Sequence, residues 1–210
     1  MIEEGQGETL AGQARPMRPE DFDVLYTGTP PWDIGRPQPA FRELAEGGAL
    51  RGRVLDVGCG TGEQALMAAG LGLEATGIDT APRAIAIAER KARDRGLDAR
   101  FLVWDALDLV SLGEQFDTVL DCGLFHVFDD HDRLRFVGNL REVVPTGGRY
   151  HMLCFSDRQP GTWGPRRVSR EEIGSCFSDG WRVDSIEETR MDVTIDPGGV
   201  VAWRAAITRV

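Results

Sequence analysis

The 210-residue chain contains no apolar run long enough to span a bilayer, so hydropathy predicts no transmembrane helix. It is poor in concentrated positive charge. Against 34 Asp and Glu stand 24 Lys and Arg, a net charge of −10. Nucleic-acid phosphates demand a basic footprint, so neither DNA, RNA nor an anionic membrane is the expected partner. The bases between residues 83 and 100 alternate with acids, the pattern of a solvated helical face. Cysteine is scarce. Cys59, Cys122, Cys154 and Cys176 form no C-x-x-C pair and no zinc-ligand spacing with histidine, so free thiols in a reducing cytoplasm are expected. Residues 1–12 are polar and acidic, unlike a signal peptide. There is no repeat, no low-complexity tract, no P-loop and no G-x-G-x-x-G.

What is present is an ordinary globular composition, 41% hydrophobic and 28% charged, at a length that fits one domain. Residues 1–18, rich in Gly, Glu and Gln, are expected to be a flexible N-terminus, followed by an arm over 19–48 within a domain reaching residue 210. Residues 19–25 and 41–45 read as short helices around a proline-rich stretch that cannot be continuous helix. From Arg53 the chain alternates strands and helices, which predicts a parallel α/β sheet covered on both faces. Strands are expected at 53–57, 74–78, 99–103, 116–120 and 149–155, with closing strands at 181–188 and 200–208. Thr80 is a candidate cap for a helix over 82–95, and Pro197-Gly198-Gly199 reads as the turn between the closing strands.

The densest signal is Val54-Leu55-Asp56-Val57-Gly58-Cys59-Gly60-Thr61-Gly62. A buried strand runs into three alternate glycines and then a helix. The glycines allow a sharp turn and close approach of a ligand to bare main chain, and the helix start offers free N–H groups. The next strand ends in Asp79, nineteen residues after Gly60, where a carboxylate can accept from ribose hydroxyls. A third strand ends at Trp104-Asp105-Ala106, where a carboxylate suits an adenine amino group.

These residues resemble class I S-adenosylmethionine (SAM)-dependent methyltransferases over roughly residues 50–156. Asp56-Val57-Gly58-Cys59-Gly60-Thr61-Gly62 matches the first motif, Gly77-Ile78-Asp79 the second, Asp105-Ala106 the third, and the strand ending in Asp121 the fourth. The segments Pro30-Pro31-Trp32-Asp33-Ile34-Gly35-Arg36-Pro37-Gln38-Pro39, Gly123-Leu124-Phe125-His126-Val127-Phe128 and Cys154-Phe155-Ser156-Asp157 are similar to mycobacterial methyltransferases of hydroxylated heterocycles such as quinolones. Thiopurine and tellurite methyltransferases are more distant. The resemblance implies a Rossmann-like sheet of seven strands, the last antiparallel, with SAM as methyl donor and S-adenosylhomocysteine as product.

It also implies roles. Asp56, Gly58, Gly60, Thr61, Gly62, Asp79, Thr80, Asp105, Ala106 and Asp121 would hold the donor. Trp32 would lie near the sulfonium, and Arg36 would meet the methionyl carboxylate. Trp32 as an anchor and Arg36 as a surface pair are the alternatives. His126, at the carboxyl end of the fourth strand, is the general-base candidate; an acidic N-hydroxyl or phenol needs no base, and His126 then only orients it. Phe22, Tyr26, Phe125 and Trp163, with Phe128 and Phe155, could line a flat acceptor pocket beneath a lid at 159–167. His131, among aspartates, reads as solvated beside a helix cap, and His151 as packing; no metal site is expected. Amino-group methyltransferases carry [DN]-P-P-[YF] where this chain has Asp121-Cys122-Gly123-Leu124, which argues against that chemistry. Thiol, halide or metalloid acceptors, and a non-catalytic SAM-binding module, remain as rival readings. The oligomeric state has no signal.

Overall fold

The structure, a computed structural model, describes residues 19–210. The expectation for residues 1–18 lies outside them. Seven strands, β1 (Arg53–Val57), β2 (Glu74–Asp79), β3 (Ala99–Val103), β4 (Thr118–Cys122), β5 (Arg149–Phe155), β6 (Trp181–Val193) and β7 (Asp196–Arg209), form one sheet in the order β3-β2-β1-β4-β5-β7-β6. The β3-to-β5 portion is parallel, and β7 runs antiparallel to both of its neighbours. Six helices accompany the sheet: α1 (Pro19–Leu25), α2 (Pro39–Glu46), α3 (Glu63–Gly70), α4 (Pro82–Arg95), α5 (Asp130–Val143) and α6 (Arg170–Cys176). None of the described helices is long and apolar enough to cross a membrane.

Alternate side chains of β1 enter opposite cores. Leu55 and Val57 pack with Phe136 and Leu140 of α5 and Ile173 of α6, while Val54 packs with Phe41 of α2 and Ala68 of α3. Burial on both faces explains the nearly continuous apolar reading of the strand. A third cluster sets Phe101 of β3 against Leu66 of α3 and Ile85, Ala88 and Ala92 of α4. The chain leaves β1 toward β2 and β3, then returns to place β4 on the other side of β1. That reversal opens a crevice at the carboxyl ends of β1 and β4, where open α/β sheets bind ligands.

Local chemistry sets the element ends. Pro39 and Pro82 occupy the first turns of α2 and α4, and Gly96 closes α4 at φ 62°. Asp129 caps α5 by accepting from the Asp132 N–H, and Ser169 with Glu172 forms the expected capping box on α6. Three expectations need correction. The residue before α4 is Ala81, which has no side chain to bond, and Asp79 takes its N–H in place of a Thr80 cap. β4 begins at Thr118, two residues later than read, because Phe116 is drawn into the core with its N–H on Val143 O. The closing strands are one long hairpin. It turns at Thr194-Ile195, with Val193 paired to Asp196, and Pro197-Gly198-Gly199 is an irregularity within β7 before Met191 pairs with Val200. Gly199 supplies the left-handed φ of 63° there.

Gly77 of β2 is an unannounced packing constraint. A Cβ there would lie 2.7 Å from the Phe101 ring and 3.0 Å from Cys59 Sγ. Gly77→Ala should therefore cost about 1–3 kcal/mol through overpacking. Urea denaturation checks this, and adding Phe101→Leu should recover part of the loss; an unchanged midpoint for the single variant contradicts it.

Candidate active site

After β1 the chain passes through Gly58, Gly60 and Gly62 at φ 62°, 52° and 83°, all left-handed. Each faces a different neighbour. A Cβ would meet the Leu124 side chain at 3.1 Å from Gly58, the Tyr26 hydroxyl at 2.7 Å from Gly60, and the Phe101 ring at 2.6 Å from Gly62. The turn is tied to β2: Cys59 N–H donates to Ile78 O (2.9 Å) and Gly60 N–H to Asp79 Oδ2 (2.9 Å), while Asp79 Oδ1 accepts from Ala81 N–H (2.8 Å). Burial pushes the Asp79 carboxyl upward against these bonds. Asp56 lies fully buried beneath the turn. Its Oδ2 accepts from Ala65 N–H (3.1 Å), and its Oδ1 has no partner. Burial first, then the charges of Asp121 and Asp79, raise its pKa well above the carboxylate range.

Asp105 lies two residues past β3 and is exposed. Its Oδ1 accepts from Leu107 N–H (2.8 Å), starting a 3-10 helix at Ala106–Leu112 in which Ala106 is buried; Oδ2 has no partner among the described residues. Thr61 belongs to an ionic knot. Its hydroxyl donates to Asp33 Oδ1 (3.0 Å) and accepts from Lys91 Nζ (2.7 Å), and Lys91 also reaches the buried Glu63 (2.8 Å), which binds Arg95 as well. Burial works against Glu63's charge, but Arg95 and Lys91 outweigh it and lower the pKa. Thr80 is half-buried between Asp79 and α4.

The arm lies on this turn. Trp32 Nε1–H donates to the Tyr26 oxygen (3.0 Å), and Phe22 meets the Trp32 ring edge-on at 6.3 Å. The arm's far end is strapped to the hairpin. The Gln38 amide bonds both ways with the Asp192 main chain (2.9 and 2.8 Å), and Thr194 N–H donates to Pro31 O (2.8 Å). Tyr26 packs on Ala81 and Ala84 with its hydroxyl over Gly60. Arg36 pairs with Asp192 Oδ2 at 2.7 Å, the surface pair that was one of its two readings, and lines a groove with Ile34, Thr194 and Pro197.

The loop after β4 builds the other half. Asp121 is fully buried and accepts from Leu124 N–H (2.7 Å), Phe125 N–H (3.1 Å) and the Tyr150 hydroxyl (2.6 Å). Burial pushes it up to about 6 despite the Tyr150 bond. It clamps this loop to β5. Phe125 is fully buried between Phe177 (6.0 Å) and the Arg133 guanidinium (4.7 Å), so it is core, not pocket. His126 is where it was expected, but its chemistry differs. Phe155 N–H donates to Nδ1 (3.0 Å), so the neutral ring carries its proton on Nε2. Burial, with Arg133 and Arg167 nearby, lowers the pKa to about 3. A ring whose lone pair is already taken is unsuited to be a general base. The His126 ring lies 5.1 Å from that of Phe155, and Trp163, 42% exposed, stands edge-on to Phe155 at 5.8 Å. The loop at 159–167 is gathered on Arg167, whose guanidinium donates to the carbonyls of Gln159, Gly161, Trp163 and Pro165.

A model of the methyltransferase domain family matches residues 54–148, from the start of β1 to the turn before β5. The chain is 36% identical over 165 residues to the 2-heptyl-1-hydroxyquinolin-4(1H)-one methyltransferase of Mycobacteroides abscessus, covering 77% of this chain and 73% of that one. The chain belongs to the SAM-dependent methyltransferases. A solved structure described by the conversion of a disulfide bond into a thioacetal group during echinomycin biosynthesis superposes with a TM-score of 0.82. It is 38% identical and covers 91% of this chain and 93% of its own. A probable thiol methyltransferase of Arabidopsis thaliana is 28% identical over 69% of this chain and 65% of its own.

The residues of this methyltransferase fit such a donor. The unpartnered Asp56 Oδ1 and the free Asp105 Oδ2 are acceptors for amino groups, Asp79 borders a bare glycine turn, and Trp32 keeps part of its indole exposed. Sequence reading missed Asp33, Gln38, Lys91, Tyr150 and Arg167. Lys91 had a signal, being the chain's single lysine; Asp33, Gln38 and Tyr150 owe their roles to partners distant in sequence, and Arg167 to the carbonyls of its own loop.

The sign of the Asp121 titration is testable. Folded Asp121 keeps its proton up to about pH 6, whereas an unfolded Asp releases it near 3.9. Its contribution is full below about pH 4 and is lost as pH rises through about 6. Asp121→Asn, which cannot ionise, should gain stability relative to the native chain over that window in urea titrations. A difference constant with pH contradicts the assignment.

Proposed function

We propose that this methyltransferase moves the methyl group of SAM to an oxygen or nitrogen of a small, flat, hydroxylated heterocycle. The observation that carries the reading is the aromatic wall at the carboxyl ends of β4 and β5. Phe155, Trp163 and His126 stand there, joined to the glycine turn through Leu124 against Gly58. The likeness to a hydroxyquinolone methyltransferase supports the same class of acceptor. SAM supplies an electrophilic methyl on a sulfonium. Asp56 would hold the methionyl amino group, Asp79 the ribose and Asp105 the adenine amine, with Thr61 and Thr80 shaping the turn's two sides. Trp32 would lend an aromatic face to the positive charge. The protein's main contribution is alignment of the two reactants, a term that reaches roughly 7–11 kcal/mol. The four cysteines, all unpaired, fit a cytoplasmic enzyme. Sulfur as acceptor is the second reading, favoured by the likeness to a thiol methyltransferase.

Methyl-labelled SAM incubated with hydroxyquinolones, phenols, quinols, thiols, halide and selenite, with and without magnesium, tests the proposal. Label should appear on a hydroxylated heterocycle. Label confined to thiol or selenium moves the acceptor to the second reading. Asp79→Ala, which removes a ribose acceptor and frees Gly60 N–H, should weaken SAM binding by at least about tenfold in calorimetry. Unchanged affinity removes Asp79 from the donor site.

A further inference from the structure

His126 has one hydrogen-bonding option left. Its Nδ1 is engaged by Phe155 N–H at 3.0 Å, so a proton on Nε2 is fixed by the main chain. Nε2 lies beside Gly123, where a Cβ would come within 3.2 Å of it. It has no partner among the described residues. Yet it is not among the buried polar atoms left unpaired, which are Asp56 Oδ1, Arg133 Nη2, both His151 nitrogens and Trp181 Nε1. Its N–H is therefore an unpaired donor that keeps some contact with solvent although the ring is buried, 5.1 Å from the Phe155 ring.

The charges around it are positive. Arg133, from α5, bonds to Phe125 O and to Glu172 of α6 at 3.3 Å. Arg167, from the loop before α6, stacks on the Phe155 ring at 5.1 Å and bonds only to carbonyl oxygens; no carboxylate among the described residues meets it. From β6, uncharged Met191 faces the same side of Gly123. Two guanidiniums thus act on the His126 ring, Arg133 shared with Glu172 and Arg167 without a carboxylate partner, beside a fixed N–H donor.

We infer that His126 Nε2–H is a hydrogen-bond donor to an acceptor that enters as its anion, so that the enzyme selects acidic hydroxyl groups by charge and takes no proton from them. The inference rests on the methyl-transfer reading above. The balance closes without a protein base. The acceptor loses its proton to water before binding, its oxygen lone pair forms the new O–CH3 bond, and the electrons of the breaking C–S bond return to sulfur. Two opposite charges vanish together. A low pKa at His126 agrees, since the ring stays neutral throughout the working range.

The test uses 1-hydroxyquinolin-4-ones and phenols of graded acidity, a parallel series of aryl thiols, and the variants His126→Gln and His126→Phe. The pH inflection of kcat/KM should move with the acidity of each acceptor. With S-adenosylhomocysteine present, the bound chromophore should ionise at lower pH than the free one by absorbance. His126→Gln keeps an N–H and should retain both effects. His126→Phe should lose the absorbance effect and roughly 10–100-fold in kcat/KM, the value of a hydrogen bond to a charged group. One inflection shared by all acceptors and abolished in His126→Gln would show a base and overturn the inference. So would a chromophore bound in its neutral form by the native enzyme, whatever the variants do. Turnover of thiols alone, with the inflection following thiol acidity, removes the oxygen reading and leaves the anion-donor inference standing. No binding or turnover in either series overturns both.

Discussion

Two main-chain amides from successive crossovers converge on one half-buried carboxylate. Asp79 holds the Gly60 N–H with one oxygen and the Ala81 N–H with the other, which locks the turn after β1 to the turn after β2. The lock holds the middle of three left-handed glycines, whose bare faces receive Leu124, Tyr26 and Phe101 from three other parts of the chain. The loop after β4, the arm and β3 thus all take their positions from the same turn. A carboxylate used in this way is costly to bury, and the raised pKa of Asp79 records that cost.

Around this turn the site is enclosed from two sides by unlike means. On the arm side, side chains imitate main chain. The Gln38 amide pairs with Asp192 as a neighbouring strand would, and it extends the hairpin's hydrogen bonding to a segment that prolines keep out of any sheet. On the β5 side, one cation organises a loop. The first closure depends on the length of β6 and β7, which carry Asp192 and Thr194 out to Gln38 and Pro31.

Much of the fold was legible because its causes are local. The alternation of strands and helices, the proline starts of α2 and α4, the Gly96 stop and the α6 capping box lie within a few residues of what they determine. The glycine turn was legible for the same reason. What could not be read from the sequence has the opposite property. Arg36 finds Asp192 across 156 residues, and Phe125 is buried by Phe177. Asp121 is saturated partly by Tyr150, and the tautomer of His126 is chosen by an N–H 29 residues later. Pro197-Gly198-Gly199 carried a turn signal, but left-handed glycine serves an irregular strand as well as a turn, and pairing with β6 decided which.

The loop at 159–167 has a mechanical consequence. Four carbonyls lean on the single guanidinium of Arg167, so no part of the loop can shift without disturbing the rest. Losing that one guanidinium would release all four carbonyls together, and with them the segment that carries Trp163 to the edge of Phe155.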